Sequence, residues 1–230
     1  IRAHWDARTV AVLIGSPANP TGTMLAPDAL AELVHAVESR GGIAIVDEIY
    51  HGLTYDVDAV SALAHSERVV VINSFSKYFG MTGWRVGWMV APPDVVPALD
   101  RLAQNAFLST NTPAQYAALR ALDADVRVEL EHRRAEFKRR RDYLVPALRK
   151  LGFEVPLMPQ GAFYVYANCR ALGVESDRFA RELLERSGVA ITPGFDFGTQ
   201  RAAEHIRVSY ANTVERLQDA VQRIDAFLAK

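Results

Sequence analysis

Four short apolar runs, at residues 10–14, 43–46, 69–72 and 86–90, constrain this chain more than anything else in it. Each is apolar throughout rather than alternating with polar residues, as strands covered on both faces are. Between the first two runs, residues 27–40 carry Leu30, Leu33, Val34 and Val37 at helical spacing. Pro27 sits in the first turn of that stretch and Gly41-Gly42 stops it. Strand, helix, strand of this kind is a parallel crossover unit. Residues 73–85 hold Ser, Gly and Thr with no helical periodicity, whereas a parallel crossover usually needs a helix. The fourth strand is therefore expected to run antiparallel.

Helical patterning is expected from Thr112, over 112–122 and 126–151, with Pro146 bending or breaking the second helix. A strand at 162–166, a helix at 177–187, strands at 189–191 and 205–208 and a helix at 214–228 follow. The expectation is a three-layer α/β/α fold with a mostly parallel sheet over 1–125. A smaller C-terminal α/β domain over 126–230 is joined to it by the long helix.

Composition narrows the partners. With 26 basic against 27 acidic residues the net charge is -1, which gives no reason to expect nucleic acid or an anionic membrane surface. The single Cys169 excludes an internal disulfide framework and speaks against a cysteine metal site, so a reducing, cytoplasmic setting is expected. The six histidines show no paired spacing, and His51 reads as packing or surface rather than a ligand. No apolar run approaches a membrane span, and no signal-peptide pattern opens the chain. Arg133, Arg134, Lys138, Arg139, Arg140 and Arg141 form a basic cluster interleaved with Glu129, Glu131 and Glu136, which reads as a solvated helix face rather than a phosphate-binding surface.

The chemistry-bearing residues lie just past the apolar runs. Asn19 follows the first, Asp47 and Tyr50 close the second, and Ser74, Ser76 and Lys77 follow the third. An antiparallel fourth strand brings Arg85 to the same edge, where open α/β sheets bind their ligands. The inventory contains no paired metal ligands, no nucleophile elbow and no Walker-type phosphate loop. A Lys among hydroxyls and an Arg fits Schiff-base chemistry on a phosphorylated cofactor, and pyridoxal 5'-phosphate sites combine such a Lys with an acidic partner, for which the strand-end Asp, expected to be buried, is the candidate. Ser76 is left out, on the expectation that it points to the other side.

Four segments then carry a resemblance: Asn19-Pro20-Thr21-Gly22, Asp47-Glu48-Ile49-Tyr50, the run from Ser74 through Lys77 to Trp88, and Ile206-Arg207-Val208-Ser209-Tyr210-Ala211. In this order they resemble the signatures of class I/II aminotransferases of the aspartate aminotransferase fold, and Gly161 and Pro193-Gly194 match further family turns. The resemblance implies a Schiff base between Lys77 and pyridoxal phosphate, with Lys77 later shuttling a proton. It implies that Asp47 keeps the pyridine nitrogen protonated and that Tyr50 and Asn19 hydrogen-bond the phenolic oxygen. Ser74 and Arg85 would hold the phosphate, and Arg207 the substrate α-carboxylate. Tyr50 as packing, Asn19 as a turn initiator and Arg207 as a salt-bridged strand residue remain the plainer alternatives.

The activity implied is exchange of an amino group between an L-amino acid and a 2-oxo acid, in a homodimer when full-length. A lyase or synthase of the same fold, or an effector domain of a transcription regulator, is the alternative. Family members carry a large stretch before the Asn-Pro-Thr-Gly segment, with a phosphate-cradling loop and a ring-stacking aromatic. The expectation is thus that the 230-residue chain is a fragment, inactive alone.

Overall fold

A computed structural model describes residues 1 and 3–229. They group into two compact units, one of residues up to Ala18 with Met24–His132, the other of Asn19–Thr23 with residues from Arg133 on.

In the first unit, β1 (Ala11–Gly15), β2 (Ile43–Asp47), β3 (Val70–Ser74) and β4 (Gly87–Val90) form one sheet in that order. The first three are parallel, and β4 runs antiparallel to β3, as its short connection requires. That connection holds only a 3-10 turn at Thr82–Trp84. Helix α1 (Pro27–Glu38) turns Leu30, Val34 and Val37 inward. They join Ala44, Val46, Ala62, Val69 and Val71 in one core, with Trp5, Val12 and Ile14 packed against it. Burying a side chain of this size stabilises by roughly 1.5–3 kcal/mol, so this cluster sets the register of β2 and β3.

Helical structure begins earlier than Thr112. Helix α2 (Val96–Phe107) has Pro in its first turn and Val96, Leu99, Leu102 and Phe107 near helical spacing, a signal that the Pro-rich start at 92–97 obscures. Helix α3 (Thr112–Ala121) follows, capped by the Asn111 side chain, which accepts from the Ala114 amide at 3.2 Å.

Helix α4 (Ala124–Lys150) runs unbroken through Pro146, contrary to the expected break. Leu144, Val145 and Leu148 around it are 2%, 0% and 0% exposed. Packing of that stripe holds both halves in line against the one hydrogen bond that proline cannot donate. The basic cluster on α4 is also not uniformly solvated. Arg139 and Arg140 pair with Glu136, and Lys138 with Asp142, but the Arg141 side chain is only 3% exposed.

In the second unit, β5 (Tyr164–Asn168), β6 (Thr192–Pro193) and β7 (His205–Ser209) form an antiparallel sheet, ordered β5-β7-β6. Strand β5 starts two residues later than expected, because Ala162 takes a left-handed φ of 60° before it. The strand expected at 189–191 is displaced to β6, where Thr192 and Pro193 pair with β7. Helix α5 (Ser176–Ser187) ends on Gly188, whose amide donates to the Leu184 carbonyl. Helix α6 (Val214–Leu228) closes the chain. On β7, Ile206 and Val208 are buried while Arg207 falls on the opposite side of the pleat. No helix of the described residues is long and apolar enough to cross a membrane.

Candidate active site

One end of the four-stranded sheet gathers Asp47, Ser74, Lys77 and Arg85. Asp47 ends β2 and Ser74 ends β3; Ser74 pairs with Gly87 at the start of β4, two residues after Arg85.

Asp47 is half-buried rather than buried, and its Oδ1 accepts from the Ile49 amide at 2.9 Å. The buried carboxylate is its neighbour Glu48, 3% exposed. Glu48 accepts from the Ser61 hydroxyl at 3.0 Å and the Ala62 amide at 2.7 Å, and lies 3.3 Å from His51 Nδ1. Glu48 is thus occupied in tying the 61–62 turn to the strand end, which leaves Asp47 as the acid at the mouth.

Tyr50 is 4% exposed, and the half-buried Lys77 places its Nζ 5.8 Å from the Tyr50 ring centre. Lys77 is held by a tight turn. Its carbonyl accepts from the Gly80 amide at 3.0 Å, the Phe75 carbonyl accepts from the Met81 amide at 2.9 Å, and Thr82 Oγ1 donates to the Ser76 carbonyl at 2.8 Å.

The exclusion of Ser76 does not stand, since residues two apart share a face even in an extended segment. The segment is not extended: the Ser76 amide donates to Ser74 Oγ at 3.0 Å, which brings the two hydroxyl oxygens to 2.9 Å. Ser74 Oγ also lies 3.1 Å from the Val86 carbonyl, so its single proton has two acceptors to choose between. Arg85 is exposed, in a left-handed conformation at φ 54°, with Nη1 donating to the Thr82 carbonyl at 3.0 Å. An amine, a carboxylate, a phenol, two hydroxyls and a guanidinium at one sheet end fit a phosphorylated aldehyde with a basic ring nitrogen.

The second unit builds its own polar site around Arg207. Its guanidinium lies between two rings, 4.2 Å from the centre of Tyr164 and 4.8 Å from that of Phe197. Nη1 donates to Asn19 Oδ1 at 2.8 Å and Nη2 to Thr192 Oγ1 at 3.3 Å. The plainer alternative of a salt-bridged strand residue does not hold, since no carboxylate pairs with Arg207 among the described residues. Its buried Nε also lacks a hydrogen-bond partner there. A stacked, charged fork with neutral partners and an orphan donor is suited to receiving a carboxylate. Thr192 and Phe197 were not singled out from the sequence, where nothing marks which residues surround Arg207.

The chain matches the family model described as aminotransferase class I and II over residues 2–224. It belongs to that family. It is 37% identical to the valine–pyruvate aminotransferase of Mycobacterium tuberculosis over 98% of its own length and 59% of that relative's. It is 38% identical to the aspartate aminotransferase of Thermotoga maritima over 96% of its length and 56% of the relative's. Among solved structures, an aminotransferase from Mycobacterium tuberculosis superposes with a TM-score of 0.94 at 36% identity, covering 99% of this chain and 59% of that one. The Thermotoga maritima aspartate aminotransferase does so at 0.90, also at 36% identity, covering 100% and 59%. The fold is therefore that of the aspartate aminotransferases, and the chain spans less than two thirds of these relatives' length.

Proposed function

We propose that this protein is an aminotransferase that exchanges an amino group between an L-amino acid and a 2-oxo acid, with pyridoxal 5'-phosphate held on Lys77. The single observation that carries the reading is the gathering of Asp47, Tyr50, Ser74, Lys77 and Arg85 at one sheet end in a chain of this family. When bound, the cofactor supplies an electron sink that weakens the bonds at the substrate α-carbon.

The chain's own residues do the rest. Lys77 Nζ holds the cofactor aldehyde and, once displaced by substrate, carries a proton to and from the α-carbon. The Asp47 carboxylate accepts the ring N–H and keeps that nitrogen protonated by charge. Tyr50 and Asn19 donate to the phenolic oxygen. Ser74 and Arg85 bind the phosphate, with Ser76 beside Ser74 as a further hydroxyl. Arg207 receives the substrate α-carboxylate. In this reading residues 1–125 are the C-terminal part of a larger cofactor-binding domain and 126–230 a small domain. The full-length enzyme is a cytoplasmic homodimer.

The test is to purify the protein as its gene encodes it, add pyridoxal phosphate, reduce with borohydride and map the modified peptide. Attachment at Lys77, with amino-acid-dependent formation of a 2-oxo acid, is expected. Attachment at Lys138, Lys150 or Lys230, or release of ammonia in place of a new amino acid, overturns the proposal.

A further inference from the structure

Arg141, in the basic cluster on α4, has a buried side chain that leaves the helix surface to bond a distant loop. A guanidinium taken out of water is costly unless its donors are well placed. Here Nη1 donates to the Pro159 carbonyl at 2.8 Å, and Nε and Nη2 reach Asp142 Oδ1 at 2.8 and 2.7 Å. The Asp142 carboxylate, which also pairs with Lys138, offsets part of that charge. The bond to Pro159 reaches into the 156–163 loop that precedes β5.

That loop is locked to a second segment. The Gln160 and Gly161 amides both donate to the Gly22 carbonyl, at 2.8 and 2.9 Å. Gly22 has φ +67°, and a β-carbon there would lie 2.7 Å from Pro159 Cβ and 2.9 Å from the Gly161 carbonyl. Only glycine allows this approach. The Asn19–Thr23 turn and residues 159–161 therefore behave as one piece. Asn19, at one end of it, accepts from Arg207 Nη1 at 2.8 Å. At the other end the chain enters β5, where the Tyr164 ring lies 4.2 Å from the Arg207 guanidinium. Two of the contacts that hold Arg207 thus depend on the loop that Arg141 pins.

We propose that Arg141 is a positioning residue for substrate-carboxylate binding: through Pro159 and Gly22 it fixes Asn19 and Tyr164, and so aims the Arg207 fork. This rests on the reading of Arg207 as the carboxylate receptor. Arg141 touches neither substrate nor cofactor, and its loss should weaken binding of anything bearing a carboxylate while sparing the chemical step.

The test compares the wild type with R141M, R141K, G22A and R207M in the cofactor-loaded protein. Three readouts are taken: KM and kcat for amino acid and 2-oxo acid, calorimetric titration with the unreactive carboxylate 3-phenylpropionate, and amide exchange at Gln160 and Gly161. A misaimed Arg207 fork loses part of its bidentate contact to the carboxylate, and a loss of about 1.4 kcal/mol there reads as about tenfold in affinity. R141M is expected to raise both KM values and the 3-phenylpropionate Kd about tenfold, hold kcat within about twofold, and speed exchange at the two amides. R141K should recover part of this, and G22A, which displaces the loop without touching Arg141, should shift the same readouts in the same direction. If R207M weakens 3-phenylpropionate but R141M and G22A do not, the positioning role is overturned and the reading of Arg207 stands. If R207M binds it like the wild type, the carboxylate reading falls and this proposal falls with it. Equal losses in kcat, KM and cofactor retention in R141M and G22A would mark Arg141 as a general fold anchor and overturn the specific role.

Discussion

Arg207 Nη1 donates to Asn19 Oδ1 across 2.8 Å, although the two residues stand 188 positions apart in the chain. The contact joins two of the four family segments directly. It gives Asn19 a task the motif alone does not reveal: holding one arm of the fork whose Nε is still without a partner among the described residues. A hydrogen bond to a charged group contributes roughly 1.5–3 kcal/mol. Asn19→Ala should therefore raise KM for amino acid and 2-oxo acid by about tenfold or more, with a smaller change in kcat. Steady-state kinetics with both substrates varied checks this; an unchanged KM would separate Asn19 from the carboxylate site.

Ser74 and Ser76 offer a graded pair. Ser74 Oγ accepts the Ser76 amide and lies against both Ser76 Oγ and the Val86 carbonyl, so it organises the turn as well as offering a hydroxyl. Neutral hydrogen bonds contribute about 0.5–1.5 kcal/mol each. Ser76→Ala is expected to weaken pyridoxal phosphate binding by about two- to tenfold, and Ser74→Ala by more. Absorbance titration of the cofactor ranks the two, and the reverse order would refute the assignment.

Tyr78 braces the residue beside it, Lys77. Its hydroxyl donates to Glu131 Oε1 at 2.6 Å, and its ring packs so closely on Gly52 that an added β-carbon would lie 2.6 Å from the ring. Tyr78→Phe should cost about 1 kcal/mol, since Glu131 keeps other interactions. Gly52→Ala should cost more, because φ there is +88° as well. Urea denaturation midpoints at constant slope measure both.

Cys169 is fully buried, and burial pushes its thiol up to about 11. Since the thiolate is the reactive form, the folded protein should resist thiol reagents at pH 8, well below that value, and react only as it unfolds. Titration with a chromogenic disulfide in native and denaturing buffer tests this. Prompt reaction of the native protein would contradict the burial.

Local patterning carried the sheet. The apolar runs, the helix between Pro27 and the Gly41-Gly42 stop, and the connection too poor in periodicity to hold a crossover helix were enough to place β1 to β4, including the antiparallel direction of β4. The expected cover on both faces does not hold: every residue of β4 is exposed, and Leu13 of β1 is 69% exposed. Where reading from the sequence went astray, a longer-range contact decided. Pro146 does not break α4, because buried Leu144, Val145 and Leu148 hold the helix in line. The strand before Tyr164 is delayed by the left-handed Ala162, whose carbonyl accepts from the Tyr210 hydroxyl at 3.2 Å, 48 residues away. Ser76 lies beside Ser74 because residues two apart share a face even in an extended strand, and the turn closes them further through the Ser76 amide. Helix α2 was legible in its spacing and was hidden only by the prolines at its start.

The sequence by itself determined the strands of the first sheet, the antiparallel direction of its fourth strand, the family, and which residue types stand at the sheet end around Lys77. These follow from side-chain periodicity and from motifs a few residues long, which are local properties of the chain. Only the tertiary structure decided that Asn19–Thr23 packs with residues from Arg133 on, that Glu48 and not Asp47 is the buried acid, and that Arg141 is buried while Arg139 of the same cluster is exposed. Each of those depends on which distant groups compete for a hydrogen bond or for burial. A one-dimensional pattern shows that a residue is polar, but not which partner will satisfy it.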